Sequence, residues 1–399
     1  MPREVAHSTP LPGQRTRKTA LRDQRVLVLH NIYREPGGEE RYVRQLAEML
    51  SRHAADVRLI ERSSDSLGAA AASIGMLHGG LRAREVADAV REMNATVVHA
   101  HNVHPALGWR SLAAAREAGA RVVLHLHNYR LFCAIGIAYR NGRDCTECAP
   151  RRMRHGLAHN CRGSLPQAAV YAAGLSRAQP HIVECVDRFI APAGNLARDL
   201  AALGLDLPVT VVPTWLPADE FVTRSQAGRG EYALYAGRLA AEKGVLTAVR
   251  ASAISGVPLR VAGSGPDGAR AIKLARDLGA PVEFMGRIDG QALVAARMGA
   301  AFAVLPSEWR EVLPFSALEA LAGGLPLVVS DRGGLPELTE AAFVFRAGDA
   351  DALAARMREL FDDPAERSAA GERALARATG EFGEERFAER LAAVYAGAA

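Results

Sequence analysis

From Arg25 onward the chain alternates short apolar runs with longer segments whose apolar residues recur every three or four positions. "RVLVLH" (Arg25–His30) predicts a buried strand, followed by the glycine loop "EPGGEER" and the helix "RYVRQLAEML". "ADVRLIE" predicts the next strand. "ATVVHAHN" and "ARVVLHLHN" predict two more, separated by a helix in "PALGWRSLAAAREAG" that ends at Gly119. "VDRFIAPA" and "NLARDLAALGL" follow as strand and helix. Apolar runs of this length read as strands buried on both faces, and the three-to-four spacing reads as amphipathic helix.

The rhythm breaks between Pro208 and Glu231, a stretch rich in Pro, Gly and polar residues. It then restarts with strands "YALYAG", "PLRVAGSG", "PVEFMGR", "AFAVLP" and "PLVVS" and helices "GVLTAVRASAIS", "GARAIKLARDLG" and "QALVAARMG". Strands alternating with helices of about 10–15 residues predict parallel sheets with right-handed crossovers. The expected organisation is a disordered tail over 1–24, a Rossmann-like domain over 25–212 with an insertion at 129–165, and a linker over 213–231. A second such domain follows over 232–380, and a terminal helix over 381–399 that can pack on either domain. Two doubly wound domains facing a cleft would place ligands at the carboxyl ends of the strands.

Composition changes little in this picture. The 399 residues are 49% hydrophobic and 23% charged, with a net charge of +5. No run reaches the roughly 18 apolar residues of a membrane span, and the basic first two dozen residues have no apolar segment of a secretion signal. The expected location is cytoplasmic, with peripheral association at the inner membrane face open. Positive charge suits an anionic ligand or membrane face as well as a mildly basic surface with no charged partner. No basic run is interleaved with aromatics, so a nucleic-acid partner is not expected.

The second half carries the clearest chemistry. "YALYAGRLAAEKG" puts Arg238 just after a strand and Lys243 at a helix start. Cations are unfavourable at that positive end of a helix unless an anion shares the site, and Gly237 and Gly244 leave room for backbone amides to approach one. "VAGSGPDG", with Gly263, is a second glycine turn after a strand. In "PSEWREVLPFSALEALAGGLP", Pro314 suits a helix start and Gly323–Gly324 its end. At 100° per residue, Phe315, Leu318, Leu321, Ala322 and Leu325 share one side. Glu319 falls on the other, with Ser316, Ala320 and Gly323, where a ligand could approach closely. Glu311 precedes the helix in its loop.

"YAGRLAAEKG", "VAGSGP", "FMGRI", and the E-x7-E of Glu311 and Glu319 followed by "EALAGGLPLVVSDRGGLPEL" occur in the order of one family. This ordered set resembles the donor half of family-four retaining glycosyltransferases (glycosyl transferases group 1) with the GT-B fold. The resemblance implies that Arg238 and Lys243 bind the diphosphate of a nucleotide-sugar donor. It implies that Glu319 holds the ribose hydroxyls and that Glu311 contacts the sugar near the reacting carbon. Gly263 and Arg287 fall in the matching motifs and join the expected donor site. The usual Gly-Phe after the first glutamate is replaced by Val312-Leu313-Pro314.

"HNIYREPGGEERYVRQLAE" resembles the family's first glycine loop, with Gly37 and Gly38 expected near the donor phosphates or the acceptor. His101, Asn102, His125, His127 and Asn128 end two strands. The resemblance matches His127 to a histidine bordering the donor sugar, so the expected catalytic set is Glu311, His127, Arg238 and Lys243. No nucleophilic carboxylate is identified, and the family is thought to react on one face of the sugar with the donor phosphate taking the acceptor proton.

"HNYRLFCAIGIAYRNGRDCTECAPRRMRHGLAHNCRGS" resembles a subgroup with H-N-x-R-L-x-C, C-x-x-C and C-x-R-G-S. Cys133, Cys145, Cys148 and Cys161 are spaced C-x11-C-x2-C-x12-C, with His155 and His159 as spare ligands. A knuckle flanked by two cysteines suits a structural zinc, with a reduced thiol cluster or a disulfide as the alternatives. Arg140, Arg143, Arg151, Arg152 and Arg154 make this insertion basic, which suits an acidic acceptor or membrane surface as well as a solvated loop. The expected activity is metal-independent retaining transfer of a sugar from a UDP- or GDP-sugar to a hydroxyl of a glycan, lipid-linked or small-molecule acceptor, in polysaccharide or glycoconjugate synthesis. No catalytic cofactor is expected. The rivals are a nucleotide-sugar epimerase or hydrolase on the same fold and a non-catalytic nucleotide-binding scaffold.

Overall fold

The computed structural model describes residues 21–33 and 37–398. Residues 1–20 of the expected tail, and Arg34, Glu35 and Pro36 of the first glycine loop, lie outside the described residues. The described residues ahead of Arg25 are packed: Leu21 is buried, and the Thr96 hydroxyl donates to the Gln24 side chain at 2.6 Å.

In the first half, strands β1 (Arg25–Ile32), β2 (Asp56–Ser63), β3 (Val97–Ala100), β4 (Arg121–His125), β7 (Arg188–Ala191) and β8 (Val209–Val211) form one sheet. Between β4 and β7 comes a two-stranded antiparallel hairpin, β5 (Tyr139–Arg140) and β6 (Arg143–Asp144). The sheet order is β2-β1-β3-β4-β7-β8, so the chain reverses direction between β1 and β3. Its helices are α1 (Gly38–His53), α2 (Ala69–His78), α3 (Ala83–Glu92), α4 (Gly108–Glu117), α5 (Arg154–Ala158), α6 (Leu165–Cys185) and α7 (Gly194–Ala202). β1 is inaccessible over Val26–Leu29, as its unbroken apolar run predicts. α1 turns Tyr42, Val43, Leu46, Met49 and Leu50 inward at helical spacing. β8 occupies the start of the stretch read as a break: its short alternating "VTV" is a strand although Pro and Gly surround it.

The second half forms a sheet of β9 (Tyr232–Ala236), β10 (Leu259–Ala262), β11 (Val282–Gly286), β12 (Ala300–Leu305), β13 (Leu327–Ser330) and β14 (Val344–Phe345). Its order, β11-β10-β9-β12-β13-β14, is the Rossmann order, with the reversal between β9 and β12. α8 (Val245–Ser255), α9 (Gly268–Leu278) and α12 (Ala350–Phe361) pack on one face with Ala233 and Tyr235 of β9. α10 (Gly290–Met298), α11 (Phe315–Ala322) and α13 (Pro364–Glu381) pack on the other with Tyr232 and Leu234. Neighbouring residues of β9 thus serve opposite cores, as the two-residue period of a strand requires. Asp349 and Asp363 cap α12 and α13, each side chain accepting an amide at 2.9 Å. The fold is GT-B, an α/β arrangement of two Rossmann-like sheets.

By contact density the chain forms two compact units. The first takes residues up to His125, Pro180–Ile190 and the chain from Glu385 onward. The second takes Leu126–Gln179 and Ala191–Glu384, so the cysteine-bearing insertion groups with the second sheet. The terminal helix α14 (Glu384–Tyr395) joins the first unit from Glu385. There the Tyr395 hydroxyl lies 2.7 Å from His99 Nδ1, and Phe387 sits edge-on to Tyr42.

Gly37 is the residue preceding α1. Its amide donates to Glu40 Oε2 at 2.6 Å, and the Tyr33 amide donates to Oε1 at 3.0 Å. Burial works against the Glu40 carboxylate, but His30 and the amides of Gly37 and Tyr33 outweigh it and lower its pKa to about 2. A depressed carboxylate contributes stability above its unfolded pKa and loses it as pH falls toward the folded value. Urea titrations should therefore show about 3 kcal/mol of acid-labile stability between roughly pH 4.5 and 2 that Glu40→Gln lacks. Equal acid slopes in the two proteins would refute this.

Candidate active site

At the reversal between β9 and β12 two loops leave neighbouring strand ends, where a doubly wound sheet opens a crevice. The first runs through Gly237–Gly244 and the second through Pro306–Pro314. Gly244 has φ +70°, and a Cβ there would stand 1.9 Å from the Pro306 carbonyl oxygen. Glycine is thus required for the two loops to touch. Their contact places Lys243 Nζ 2.5 Å from Glu311 Oε1, which also accepts from the Ser307 hydroxyl at 2.7 Å. Glu311 is only 4% exposed. Lys243 Nζ also stands 5.0 Å over the Trp309 ring.

Hydrogen bonds hold the Glu311 loop from several sides. Asn195 Nδ2 donates to the Glu311 carbonyl at 3.3 Å, and the Gly334 amide donates to the same oxygen at 2.7 Å. Glu308 accepts from the Tyr139 hydroxyl at 2.9 Å and from Thr247 at 3.2 Å. Arg310 donates to Asp144 at 3.1 Å and to Asp199 at 2.6 Å, and Arg332 also reaches Asp144 at 3.2 Å. Burial works against the charge on Arg310, but Asp199 and Asp144 outweigh it and raise its pKa. Tyr139 and Asp144 belong to the β5–β6 hairpin of the insertion, so that insertion braces the loop carrying Glu311. Tyr139, Asp144, Asp199 and Arg310 were not among the residues the sequence singled out. The one signal was Arg310 between Trp309 and Glu311, a charge in a loop that needs partners if buried.

Arg238 is more than half exposed and pairs with Glu242. Arg287 is exposed just beyond β11, without an ion pair among the described residues. Gly263, at φ +147°, would place a Cβ 1.9 Å from the Gly237 carbonyl, so the two glycine turns lie against each other. The amides of Gly237, Gly244 and Gly263 already donate to Ala262, Ala241 and Gly286 carbonyls at 3.0, 3.1 and 2.7 Å. The positive groups at these strand ends are the side chains of Arg238 and Lys243. His127 is half-buried, two residues past the end of β4. Gly37 and Gly38 lie in the first unit, where a Cβ on Gly37 would meet nothing within 4 Å.

α11 is buried on all sides over Ala317–Ala322, and Glu319 is 5% exposed. Its carboxylate pairs with Arg297 of α10, which also reaches Glu220 at 3.3 Å. A helix side of small residues is open to a neighbouring long side chain, and Arg297 reaches Glu319 there.

In the insertion all four cysteines are free thiols, Cys133 and Cys148 buried and Cys145 and Cys161 half-buried. Burial raises Cys148 to about 11, with Cys133 and Cys161 adding to it. Burial likewise raises Cys161, with Cys133 and Cys145 adding. His155 and His159 converge on Glu147 instead, their ligating atoms all within 4.8 Å of one another. The same carboxylate accepts from Arg140 at 2.9 Å.

Two family descriptions match the chain: "Glycosyltransferase Family 4" over residues 36–220 and "Glycosyl transferases group 1" over 219–377. Together the two descriptions span residues 36–377, so both halves of the chain match glycosyltransferase families. Among curated relatives, a glycogen synthase of Mycobacterium tuberculosis is 36% identical over 186 residues, 43% of this chain and 44% of that protein. The match thus spans less than half the length of that relative. Among solved structures, sucrose-phosphate synthase from Thermosynechococcus elongatus superposes with a TM-score of 0.68 at 19% identity, over 94% of this chain and 99% of that one. Anabaena Alr3699/HepE in complex with UDP gives 0.65 at 17%, over 94% of this chain and 100% of the other. At these identities the likeness is one of fold.

The Arg297–Glu319 pair predicts a stability effect. Removing one member strands the other's charge, so Arg297→Ala should cost about 3–5 kcal/mol in denaturant unfolding. Arg297→Met with Glu319→Leu should recover most of that loss. A loss under about 1 kcal/mol in the single variant would show the pair to be solvated.

Proposed function

We propose that this protein is a retaining, metal-independent glycosyltransferase. It moves a sugar from a UDP- or GDP-sugar to a hydroxyl of a glycan, lipid-linked or small-molecule acceptor in polysaccharide or glycoconjugate synthesis. The observation that carries this is the Lys243–Glu311 pair at the β9–β12 strand ends, a cation and a buried carboxylate side by side where a doubly wound sheet takes its ligand. Lys243 and the exposed Arg238 bind the donor diphosphate and stabilise the charge that builds on it as the sugar–oxygen bond breaks. A diphosphate oxygen takes the proton of the attacking acceptor hydroxyl, which arrives on the face the leaving group vacates. Glu311, its backbone braced through Arg310 and Asn195, contacts the sugar beside the reacting carbon, and His127 borders that sugar. Glu319 accepts from the ribose hydroxyls with Arg297 behind it. Gly37, Gly38, Gly263 and Arg287 complete the donor contacts. Solved structures of the same fold that contain UDP support the choice of donor class.

A panel of nucleotide sugars read by thermal shift identifies the donor, since a ligand of the folded state raises its stability. With that donor, Glu311→Gln is expected to lower kcat by 10²-fold or more, on the order of one lost transition-state contact, with donor affinity little changed. Lys243→Ala and Arg238→Ala are expected to weaken nucleotide binding. Full transfer by Glu311→Gln would remove its role. Release of free nucleotide without any acceptor would point to an epimerase or hydrolase, and binding without turnover to a scaffold.

For Cys133, Cys145, Cys148 and Cys161 we propose a structural zinc. The support is the C-x2-C knuckle of Cys145 and Cys148 flanked by Cys133 and Cys161, none of them in a disulfide. The ion would neutralise the cluster and hold the segment that carries the bracing hairpin. Elemental analysis of purified protein should find zinc that Cys145→Ser/Cys148→Ser removes; the same zinc content in both proteins would exclude this cluster.

A further inference from the structure

The proposed sugar-transfer chemistry leaves one polar cluster of the first unit unused, and a role for that cluster stands or falls independently of it. β3 and β4 are paired neighbours, with His99 opposite Val123. His99 on β3 and His101 just past its end stack on one another, and His125 ends β4 beside them. The three rings are 0%, 3% and 2% exposed and stack on one another, with centroids 4.6 Å apart for His99–His101 and 5.6 Å for the pairs with His125. One ring nitrogen from each lies within 4.8 Å of the others.

The rings are oriented from behind by two buried phenols. The Tyr395 hydroxyl of α14 stands 2.7 Å from His99 Nδ1, and the Tyr42 hydroxyl of α1 stands 3.2 Å from His125 Nδ1. His99 Nε2 is buried and meets no hydrogen-bond partner among the described residues. A buried polar nitrogen without a partner costs stability and calls for an explanation.

We propose that His99, His101 and His125 form a buried site for a divalent transition-metal ion of the zinc class, with Tyr42 and Tyr395 as the outer partners that orient two of the ligands. A metal-bound histidine usually gives its other ring N–H to an oxygen, and a phenol at Nδ1 leaves the Nε2 lone pair for the ion. Three imidazoles without a carboxylate select zinc, copper, nickel or iron over calcium and magnesium. Zinc–nitrogen bonds of about 2.0–2.1 Å set the three nitrogens about 3.4 Å apart. Ligation therefore draws them together by up to about 1.4 Å, within the range of the broad ring torsion of histidine. The bound ion would tie the terminal helix to β3 through Tyr395.

The test uses the full chain carrying Cys145→Ser/Cys148→Ser, so that thiol-bound metal does not contribute. After expression with zinc, this protein is expected to retain about one equivalent by elemental analysis. Once stripped with a chelator, its Tm should rise on adding zinc. Cobalt in place of zinc should give ligand-field bands without a thiolate-to-cobalt charge-transfer band. His125→Asn in the same background should lose the equivalent and the zinc-dependent rise in Tm. A stripped protein that takes up no zinc and keeps its Tm would overturn the proposal and leave a hydrogen-bonded histidine stack. Zinc retained by His125→Asn would overturn it too. Should the cysteine variant not fold, cobalt titration of the unmodified chain decides instead: thiolate bands alone refute the histidine site, and thiolate-free ligand-field bands beside them support it.

Discussion

Lys243 meets Glu311 because two loops that leave adjacent parallel strands come into backbone contact, and they can do so only where position 244 has no side chain. That contact organises the candidate active site. The strand order puts the ends of β9 and β12 side by side, and the missing Cβ lets the chains close. A cation and a carboxylate then share a place from which water is largely excluded. Their mutual attraction is strong there, and so is the cost of leaving either without a partner.

The neighbouring charges follow the same logic in a second layer. Arg310 carries the Glu311 loop, and it is held between Asp144 of the insertion and Asp199 of α7. Tyr139 and Asn195 add neutral hydrogen bonds to the same segment. A loop fixed at this many points keeps its carboxylate in one posture, which a transferase needs if a contact is to strengthen only as the bond to the leaving group breaks. The cysteine-bearing insertion thus has a mechanical connection to the Glu311 loop through Tyr139 and Asp144.

The first unit places its polar groups differently. Its strand ends are histidine-rich, and α1 and the terminal helix close over them with tyrosine hydroxyls. The last helix of the chain therefore belongs to the sheet formed first in sequence, through Tyr395 on His99 and Phe387 on Tyr42. Amphipathic spacing showed that this helix must pack. It carried no information on where, because either sheet offers an apolar face.

Sequence alone determined the alternation of strands and helices, the two-sheet α/β class, and the residues Arg238, Lys243, Glu311 and Glu319 as one ordered set. These are local properties: burial on both faces makes a strand unbroken in hydrophobicity, and a motif keeps its spacing because the loop it forms has fixed length. Tertiary structure decided what those residues touch. Glu319 is paired with Arg297, a residue 22 positions earlier on another helix. The amides of Gly237, Gly244 and Gly263 are bonded to the carbonyls of Ala262, Ala241 and Gly286. Arg310, Asp144 and Asp199 are brought together across sequence separations of 166 and 111 residues. No periodicity encodes such partners, since a charge finds its counter-charge only when the sheet order has set which loops are neighbours.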